Sequence, residues 1–244
     1  MSVLAPILDQ TPVDSIDAVL ERMRQIDEAL PPGDGVSCFN HLYLAVTVNV
    51  LAAKEQQRFA DPPFLADLDV AFANLYFAAL RAFDSGDEDT PRAWLPLLAA
   101  RARTDVAPLQ FALAGMNAHI NRDLPQALVE TFAALGVDMT RPSRQSDDYD
   151  RVDALLAATE AGIKDSYLGP LARRLDRRFA GVDDAVANWS VSAARRAAWT
   201  NGWALWHLRA HATLSTDYLD TLDGMVGFAG RGLLVPTGVA GLSG

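Results

Sequence analysis

The sequence has a single cysteine, Cys38, among its 244 residues. An intrachain disulfide is therefore excluded, and a reducing compartment is expected. The N-terminus lacks the basic and apolar regions of a secretory signal. Apolar runs elsewhere are interrupted by polar residues well before the roughly 18 positions that a transmembrane helix needs. These absences predict a cytoplasmic protein that does not act at a membrane.

Basic residues are also in short supply, with 21 Lys and Arg against 31 Asp and Glu, which gives a formal net charge of −10. An acidic surface repels phosphate backbones and anionic lipids, so the composition predicts no nucleic-acid partner and no membrane partner. The sequence contains no nucleophile elbow, no glycine-rich phosphate loop and no zinc ribbon. The common catalytic and metal-binding motifs therefore do not assign its chemistry.

Hydrophobic residues make up 50% of the chain, enough for a sizeable core. They recur with helical periodicity, and no convincing strand pairs are present. The pattern predicts an all-α, single-domain bundle of about eight to nine helices over residues 1–244. The first expected helix runs from a cap at Thr11 or Asp14 to residue 30, and the third runs from the prolines at 62 and 63 to residue 83. The others are expected at 37–58, 90–98, 106–121, 124–135, 149–179 and 183–211, with a last helix that ends near 226.

Two segments are expected to interrupt this pattern. The polar run TRPSRQSDDYD at 140–150 is the best candidate for a subdomain junction. The tail at 227–244 is rich in glycine, which is unfavourable inside helices, so it is predicted to be irregular and to form either a lid or a loose end. Gly136 is expected to terminate the helix that precedes it.

Polar side chains lie within otherwise apolar helical runs, where an unpaired buried polar group costs about 1–3 kcal/mol. Packing of these helices against one another would bring the polar groups to one buried centre. The candidate catalytic residues are Asn117, His119, Asn121 and Asp123. The candidate substrate-binding residues are Asn40, His41, Tyr43, Asn74, Tyr76, Trp203, Trp206 and His207.

Asp123 has two interpretations. The segment Asp123-Leu-Pro-Gln126 resembles a helix N-cap followed by proline in the first turn and glutamine at the capping-box position. A cap there would break the helix near Arg122 and separate Asp123 from His119. The other interpretation makes Asp123 the partner that tunes His119.

The leading functional hypothesis is a metal-free enzyme that acts on a small apolar or aromatic molecule. His119 would act as general acid or base, and Asn117 and Asn121 would hold a carbonyl or hydroxyl group of the substrate. The stripe of Trp199, Trp203 and Trp206 would form an aromatic wall, although aromatics at helical spacing are more often simply core. No cofactor is expected in this case.

The first alternative is a metal-dependent hydrolase. His207 and His211 are four residues apart, as are His119 and Asp123, so each pair would lie on one helical face. Imidazole and carboxylate ligands suit zinc, iron or manganese, and Glu160 or Asp165 would add a carboxylate. The second alternative is a non-catalytic binding or interaction protein whose polar groups are structural. An apolar helix face left exposed would support a homodimer.

Three stretches carry a family resemblance, namely DGVSCFNHLYL at 34–44, LDVAFANLYF at 68–77 and FALAGMNAHINRDLPQAL at 111–128. They resemble a family of bacterial, mostly actinobacterial, proteins of unknown function, and Asn-x-His-Ile-Asn-x-Asp-Leu-Pro is the most specific part. The resemblance implies a helical fold and makes specialised metabolism, with a tailoring or cyclising reaction, a plausible setting.

A second resemblance is fainter. The spacing of His119 and Asp123 near a proline is similar to an element of the helical zinc-dependent phospholipase C and P1-nuclease group. The second histidine and the N-terminal tryptophan ligand of that group are missing here. The resemblance implies a phosphoesterase-like hydrolase, without its three-metal site.

Overall fold

A computed structural model of the chain describes residues 2–9, 12–156 and 190–236. Within these ranges the chain consists of helices, turns and loops and contains no strand, which confirms the predicted all-α class. The helices are α1 (Ala5–Leu8), α2 (Ile16–Ala29), α3 (Gly35–Glu55), α4 (Pro62–Ser85), α5 (Leu95–Ala100), α6 (Pro108–Ala118), α7 (Leu124–Leu135), α8 (144–156), α9 (Val191–Leu208) and α10 (Ala212–Leu233).

Side-chain caps explain where several of these helices begin. Ser15 accepts a hydrogen bond from the Ala18 N–H and starts α2, so the predicted cap at Asp14 is one residue early, and Thr11 lies outside the described ranges. Asp34 and Asp61 cap α3 and α4 in the same way, with prolines in the first turn of α4. Gly136, with φ of 65°, terminates α7 as predicted.

The polar segment at 140–150 is not simply a linker, because α8 begins inside it at residue 144. Ser143 and Ser146 exchange hydrogen bonds between their hydroxyls and backbone N–H groups, and this reciprocal cap starts the helix. Tyr149 is fully buried and donates its hydroxyl to the Arg195 carbonyl. The helix expected at 149–179 is described only as far as residue 156, and its remainder lies outside the described residues. The start expected at residue 183 for the helix observed as α9 also lies outside them.

The prediction of an irregular tail from residue 227 is wrong for its first part, because α10 continues through the glycines to Leu233. A Cβ atom on Gly227 would lie 2.4 Å from the carbonyl oxygen of Arg92. Glycine is therefore needed there for the close approach of α10 to the turn before α5. Asp223 on the same helix accepts hydrogen bonds from the backbone N–H groups of Arg92 and Ala93. Residues 237–244 lie outside the described ranges.

The predicted cap at Asp123 is also wrong. Asp123 has helical φ and ψ of −82° and −40°, and its side chain makes no capping hydrogen bond. A π turn over His119–Asp123 instead joins α6 and α7 into one continuous helix, in which the N–H of Leu124 bonds to the carbonyl of His119. Such π turns are rare and occur frequently at functional sites.

The two long helices α3 and α4 are each long and apolar enough to cross a membrane by length and composition alone. Their most apolar windows have mean hydropathies of 1.4 and 1.3, and 56% and 50% of those windows are buried inside the bundle. Core helices of soluble proteins meet the same criterion. The expectation that the chain has no membrane helix therefore stays a prediction.

The close packing at Gly227 predicts opposite effects for two glycines of α10. Gly227→Ala should lower the free energy of unfolding by about 1–3 kcal/mol, because the new methyl group overlaps the Arg92 carbonyl. Gly232→Ala has open space and should be neutral or stabilise by up to about 1 kcal/mol, as expected for alanine in a helix. Urea unfolding followed by circular dichroism measures both. Equal stability of the two variants would contradict the packing described.

Candidate functional site

His119 occupies the first position of the π turn and is almost completely buried, with 1% of its surface exposed. Its imidazole ring stacks on Phe72 of α4, with centroids 3.4 Å apart and an angle of 5° between the planes. Tyr43 and Phe39 of α3 approach the same ring edge-on, with centroids at 4.5 and 5.6 Å. The imidazole is therefore held in one orientation by aromatic rings on two helices.

The Asp123 carboxylate, with no exposed surface, accepts three side-chain hydrogen bonds. Its Oδ2 lies 2.9 Å from Nε1 of Trp94 and 3.0 Å from Nδ1 of His119. Its Oδ1 lies 2.8 Å from a terminal guanidinium nitrogen of Arg122. A buried carboxylate persists only when it is paired and hydrogen-bonded, and Asp123 meets both conditions. It therefore acts as a fixed anion beside His119.

This contact determines the form of His119. A neutral imidazole carries one proton, and the carboxylate selects the form with that proton on Nδ1. The lone pair then lies on Nε2, which is buried and has no hydrogen-bond partner among the described residues. Burial lowers the pKa of His119, and the hydrogen bond and charge of Asp123 oppose that effect. The imidazole is therefore neutral at neutral pH, with Nε2 able to accept a proton.

A cavity of about 50 Å³ adjoins the ring of His119 and is lined by residues of α3, α4, α6, the π turn, α7, α8 and α9. Most of its lining is aliphatic or aromatic. The lining residues with polar groups are Tyr43, Thr47, Asp69, His119 and Arg195. Thr47 donates its hydroxyl to the Tyr43 carbonyl within α3, so that hydroxyl proton is already used.

Two of the other polar groups in the cavity differ in their surroundings. The Arg195 guanidinium is bonded to Asp153 and to the Tyr149 carbonyl and lies over the Tyr149 ring. Asp69 is half-buried, and burial raises the pKa of its carboxyl to about 7, against the lowering influence of Arg195 and Lys54. Asp69 is not predicted from the sequence, because a single carboxylate in a helix is ordinarily a surface residue.

Arg122 connects the site to α10. Its Nε lies 3.4 Å from an Asp223 oxygen, while its terminal nitrogen is bonded to Asp123. Asp223 in turn receives the backbone N–H groups of the turn that leads to Trp94. The guanidinium therefore lies between two buried carboxylates and pairs with Asp223 through charge, since its Nε makes no hydrogen bond with the described residues. Trp94 and Arg122 were also missed as parts of the site.

The structure places the two predicted catalytic asparagines on the side of the helix that faces α10. Asn117 donates to the Val226 carbonyl at 3.0 Å, and Asn121 donates to the Asn117 side-chain oxygen at 3.1 Å. Neither lines the cavity beside His119. The four predicted catalytic residues therefore form two separate side-chain pairs, Asn117 with Asn121 and His119 with Asp123.

The polar residues of α3 and α4 form separate hydrogen-bonded groups. Asn40 donates to the Met23 carbonyl and to Asp27, and it accepts from the Tyr76 hydroxyl. Asn74 pairs with both backbone groups of Val13. His41 is exposed and lies 3.5 Å from Asp27. Of the predicted substrate-binding residues, only Tyr43 lines the cavity with His119.

The predicted aromatic stripe on α9 is divided between core and surface. Trp199 and Trp206 are buried against Phe132, whereas Trp203 is 48% exposed. The Trp203 ring lies on the exposed His207, whose Nδ1 contacts the Trp203 carbonyl at 2.8 Å. This wall does not line the His119 cavity.

The predicted metal ligands do not come together. His207 and His211 are exposed near the end of α9, whereas His119 and Asp123 are buried in the π turn. Across 2–9, 12–156 and 190–236, no three His, Cys, Asp or Glu side chains are grouped as metal ligands. Glu160 and Asp165, the suggested additional carboxylates, lie outside those ranges.

The state of His119 can be measured directly. Imidazole ¹⁵N NMR should show Nδ1 protonated and Nε2 unprotonated, with a pKa below the ordinary value of about 6.5. Asp123→Asn should lower the pKa of His119 further, because it removes the negative charge that favours the imidazolium. The spectrum of His119→Gln identifies the signal. A His119 pKa above 6.5, or a proton on Nε2, would contradict this geometry.

Residues 16–236 match the model of a protein family described as a family of unknown function, DUF5995. Because the match covers most of the chain, the chain belongs to this family. No curated protein and no solved structure matched the chain.

Proposed function

We propose that this member of the DUF5995 family is an enzyme that uses His119 as a general base on a small, largely apolar molecule, with Asp123 orienting the imidazole. One observation carries the proposal. The buried Nε2 of His119 has no hydrogen-bond partner among the described residues, while Nδ1 is fixed on a fully hydrogen-bonded carboxylate. This is the arrangement of a base with its orienting group.

A purely structural histidine would not account for this arrangement as well. An unpaired buried acceptor costs about 1–3 kcal/mol. Phe72, Tyr43 and Phe39 surround the ring, and the contact of Nδ1 with Asp123 accounts for only one of its two nitrogens. Proteins keep such unfavourable polar groups mostly where function requires them.

The surroundings also suit proton transfer. Apolar rings disfavour the imidazolium and keep His119 neutral, so it is available as a base near pH 7. When Nε2 takes a proton, the positive charge forms 3.0 Å from the Asp123 carboxylate, which is already in place. Arg122 and Trp94 hold that carboxylate, so it does not need to move during the reaction.

The cavity beside the His119 ring is small. A cavity of about 150 Å³ accommodates benzene, whereas this one measures about 50 Å³. It therefore admits only the reacting end of a substrate, and binding of a larger body requires the walls to separate. The apolar lining favours an uncharged reacting end.

The unpaired Nε2 of His119, with Nδ1 held by Asp123, also favours a second candidate function. A histidine whose Nδ1 is bonded to a carboxylate is also well oriented to bind a metal through Nε2. Asp69 would supply a carboxylate oxygen from the same cavity. A hydrolase with a divalent metal at these two groups is thus the alternative. Elemental analysis of protein purified without chelators separates the two, since full activity of metal-free protein contradicts the alternative.

The wider setting is proposed on the sequence alone. We infer that the Asn117–Pro125 segment distinguishes the family, that its members are mainly actinobacterial, and that the reaction belongs to specialised metabolism in the cytoplasm. After lysis and centrifugation at membrane-pelleting speed, the protein should remain in the supernatant without detergent. Recovery only in detergent extracts would mean that α3 and α4 enter a membrane.

The function can be tested without knowing the substrate. In the native host, a chromosomal His119→Gln substitution should reproduce the metabolite profile of the gene deletion, because Gln cannot take up the proton. The purified variant should retain its helical circular dichroism and unfold at a temperature within a few degrees of wild type.

The exposed His207 gives a matched control, and His207→Gln should leave the metabolite profile unchanged. A His119→Gln strain with the wild-type profile, in a host where the deletion alters it, would show that the base is not used.

A further inference from the structure

The outward face of α10 carries apolar side chains, although the opposite face of this helix already packs on the bundle. Val226 and Gly230 are buried on the inner face. Met225 and Phe228 lie on the other side, with 67% and 72% of their surface exposed, more than any other large apolar side chain in the described ranges. Leu214, near the start of the helix, is 54% exposed. The outer face of a surface helix ordinarily carries charged and polar residues, so this face resembles one that a partner covers.

The exposed apolar residues of α10 follow the spacing found between two paired helices. The α10 seam, as we call it, alternates steps of four and three residues and consists of Leu214, Tyr218, Thr221, Met225 and Phe228. These steps give the 3.5-residue period at which one helix keeps the same side against a second helix. The spacing therefore favours a helix as the occupant of this face.

The two polar members of the seam do not oppose its burial. The Tyr218 hydroxyl donates a hydrogen bond to the side-chain oxygen of Asn201 on α9. The Thr221 hydroxyl donates to the Asp217 carbonyl within α10. Both hydroxyl protons are already used inside the chain, so covering the seam leaves neither of these donors without an acceptor.

Charges beside the seam indicate which helix covers it. Asp217 and Arg231 are both exposed and lie fourteen residues apart, which is two heptads, so they are on the same flank of the seam. The Arg231 guanidinium lies 5.7 Å from the centre of the Phe228 ring, directly beside the seam. At 1.5 Å per residue, about 21 Å separates Asp217 from Arg231 along the helix, too far for contact within one chain. A covering helix of complementary charge therefore has a cation opposite Asp217 and an anion opposite Arg231.

We propose that the α10 seam is the interface of a two-fold symmetric homodimer, in which the α10 helices of two copies pair antiparallel. A second copy supplies the required charges, because the reversed direction places Arg231 of the partner subunit opposite Asp217, and the partner's Asp217 opposite Arg231. In a parallel pair the charged flank would meet the other flank, which consists of the uncharged Ser215, Leu222 and Ala229. The charges therefore favour the antiparallel pair.

The length of the seam determines the affinity that we expect. At 1.5 Å per residue the seam runs for about 21 Å from Leu214 to Phe228. A specific interface buries about 1,200–2,000 Å² in total, and one helix pair of this length reaches at most the lower end of that range. Both helices are already formed on their own bundles, so association does not have to order them. We expect a dimer with a dissociation constant of roughly 1–100 µM.

Sedimentation velocity of the full-length protein tests the dimer. Over a concentration range of about 1–300 µM, the mass should rise from the 26.3 kDa of one chain towards twice that value. Phe228→Glu and Met225→Glu should each stay monomeric, because pairing would bury a carboxylate without a partner. Val48→Glu makes a similar change at an exposed apolar residue of α3 and should leave the dimer intact. Unchanged helical circular dichroism would show that all three variants remain folded.

A charge swap tests the antiparallel register. Asp217→Arg or Arg231→Asp alone should raise the dissociation constant by about tenfold, because either change puts two like-charged pairs across the interface. The double variant should restore the wild-type value. Its two charges are both unfavourable for the helix dipole, so a more stable helix would not explain the recovery. Glu88→Arg, an equal change of charge in the exposed loop after α4, should have no effect.

Three results would overturn the proposal. They are wild-type protein that stays monomeric up to about 300 µM, a double charge variant that pairs no better than the single ones, and a Val48→Glu variant that loses the dimer as Phe228→Glu does. Wild-type monomers that sediment with phosphatidylglycerol vesicles, when Phe228→Glu monomers do not, would assign the face to a membrane instead. Because sedimentation needs no substrate, the result does not depend on the role of His119.

Discussion

The hydrogen bonds of the buried Asp123 carboxylate are the interaction on which the centre of this bundle depends. An anion without contact to water has to be neutralised and hydrogen-bonded, so its donors are held to narrow positions. Trp94 supplies one donor from the turn before α5, and His119 and Arg122 supply the others from the π turn. Arg122 also forms an ion pair with Asp223 and so links the carboxylate to α10. The carboxylate thus fixes three parts of the chain and, with them, the direction of the His119 ring.

The π turn explains why the sequence pattern around Asp123 suggested a cap. Proline near a helix start is common, whereas inside a helix its ring clashes with the carbonyl four residues earlier and it cannot donate a hydrogen bond. Pro125 nevertheless lies in a continuous helix, immediately after the π turn that changes the bonding there. Gln126, at the expected capping-box position, donates to the Arg122 carbonyl instead. The segment Asp123-Leu-Pro-Gln126 fits both the start of a new helix and a π turn within a continuous helix. The local sequence pattern therefore does not distinguish these two structures.

Periodicity and end signals were sufficient for most of the fold. The apolar spacing predicted the helices around the site, and Gly136 marked the end of α7, because these features depend on nearby residues. Features that depend on distant packing were missed. Gly227 lies inside α10 only because another segment approaches it closely, and Asp69 lines a cavity only because α4 turns that face towards His119. Asn40 and Asn74 resembled site residues for the same reason, yet they join helices.

The different roles of the buried polar residues follow from the free-energy cost of burying a polar group. Asn40, Asn74 and Asn117 have their amides bonded to backbone carbonyl groups of neighbouring segments, so each stabilises a contact that the core needs. His119 is different, because the bond at Nδ1 orients the ring while Nε2 has no partner in the part of the chain that the structure describes. An apolar side chain there would avoid the unpaired acceptor, but it would also take a donor away from the buried Asp123 carboxylate. The contact at Nδ1 therefore explains why the ring is held, and a proton or a ligand received at Nε2 would explain the second nitrogen.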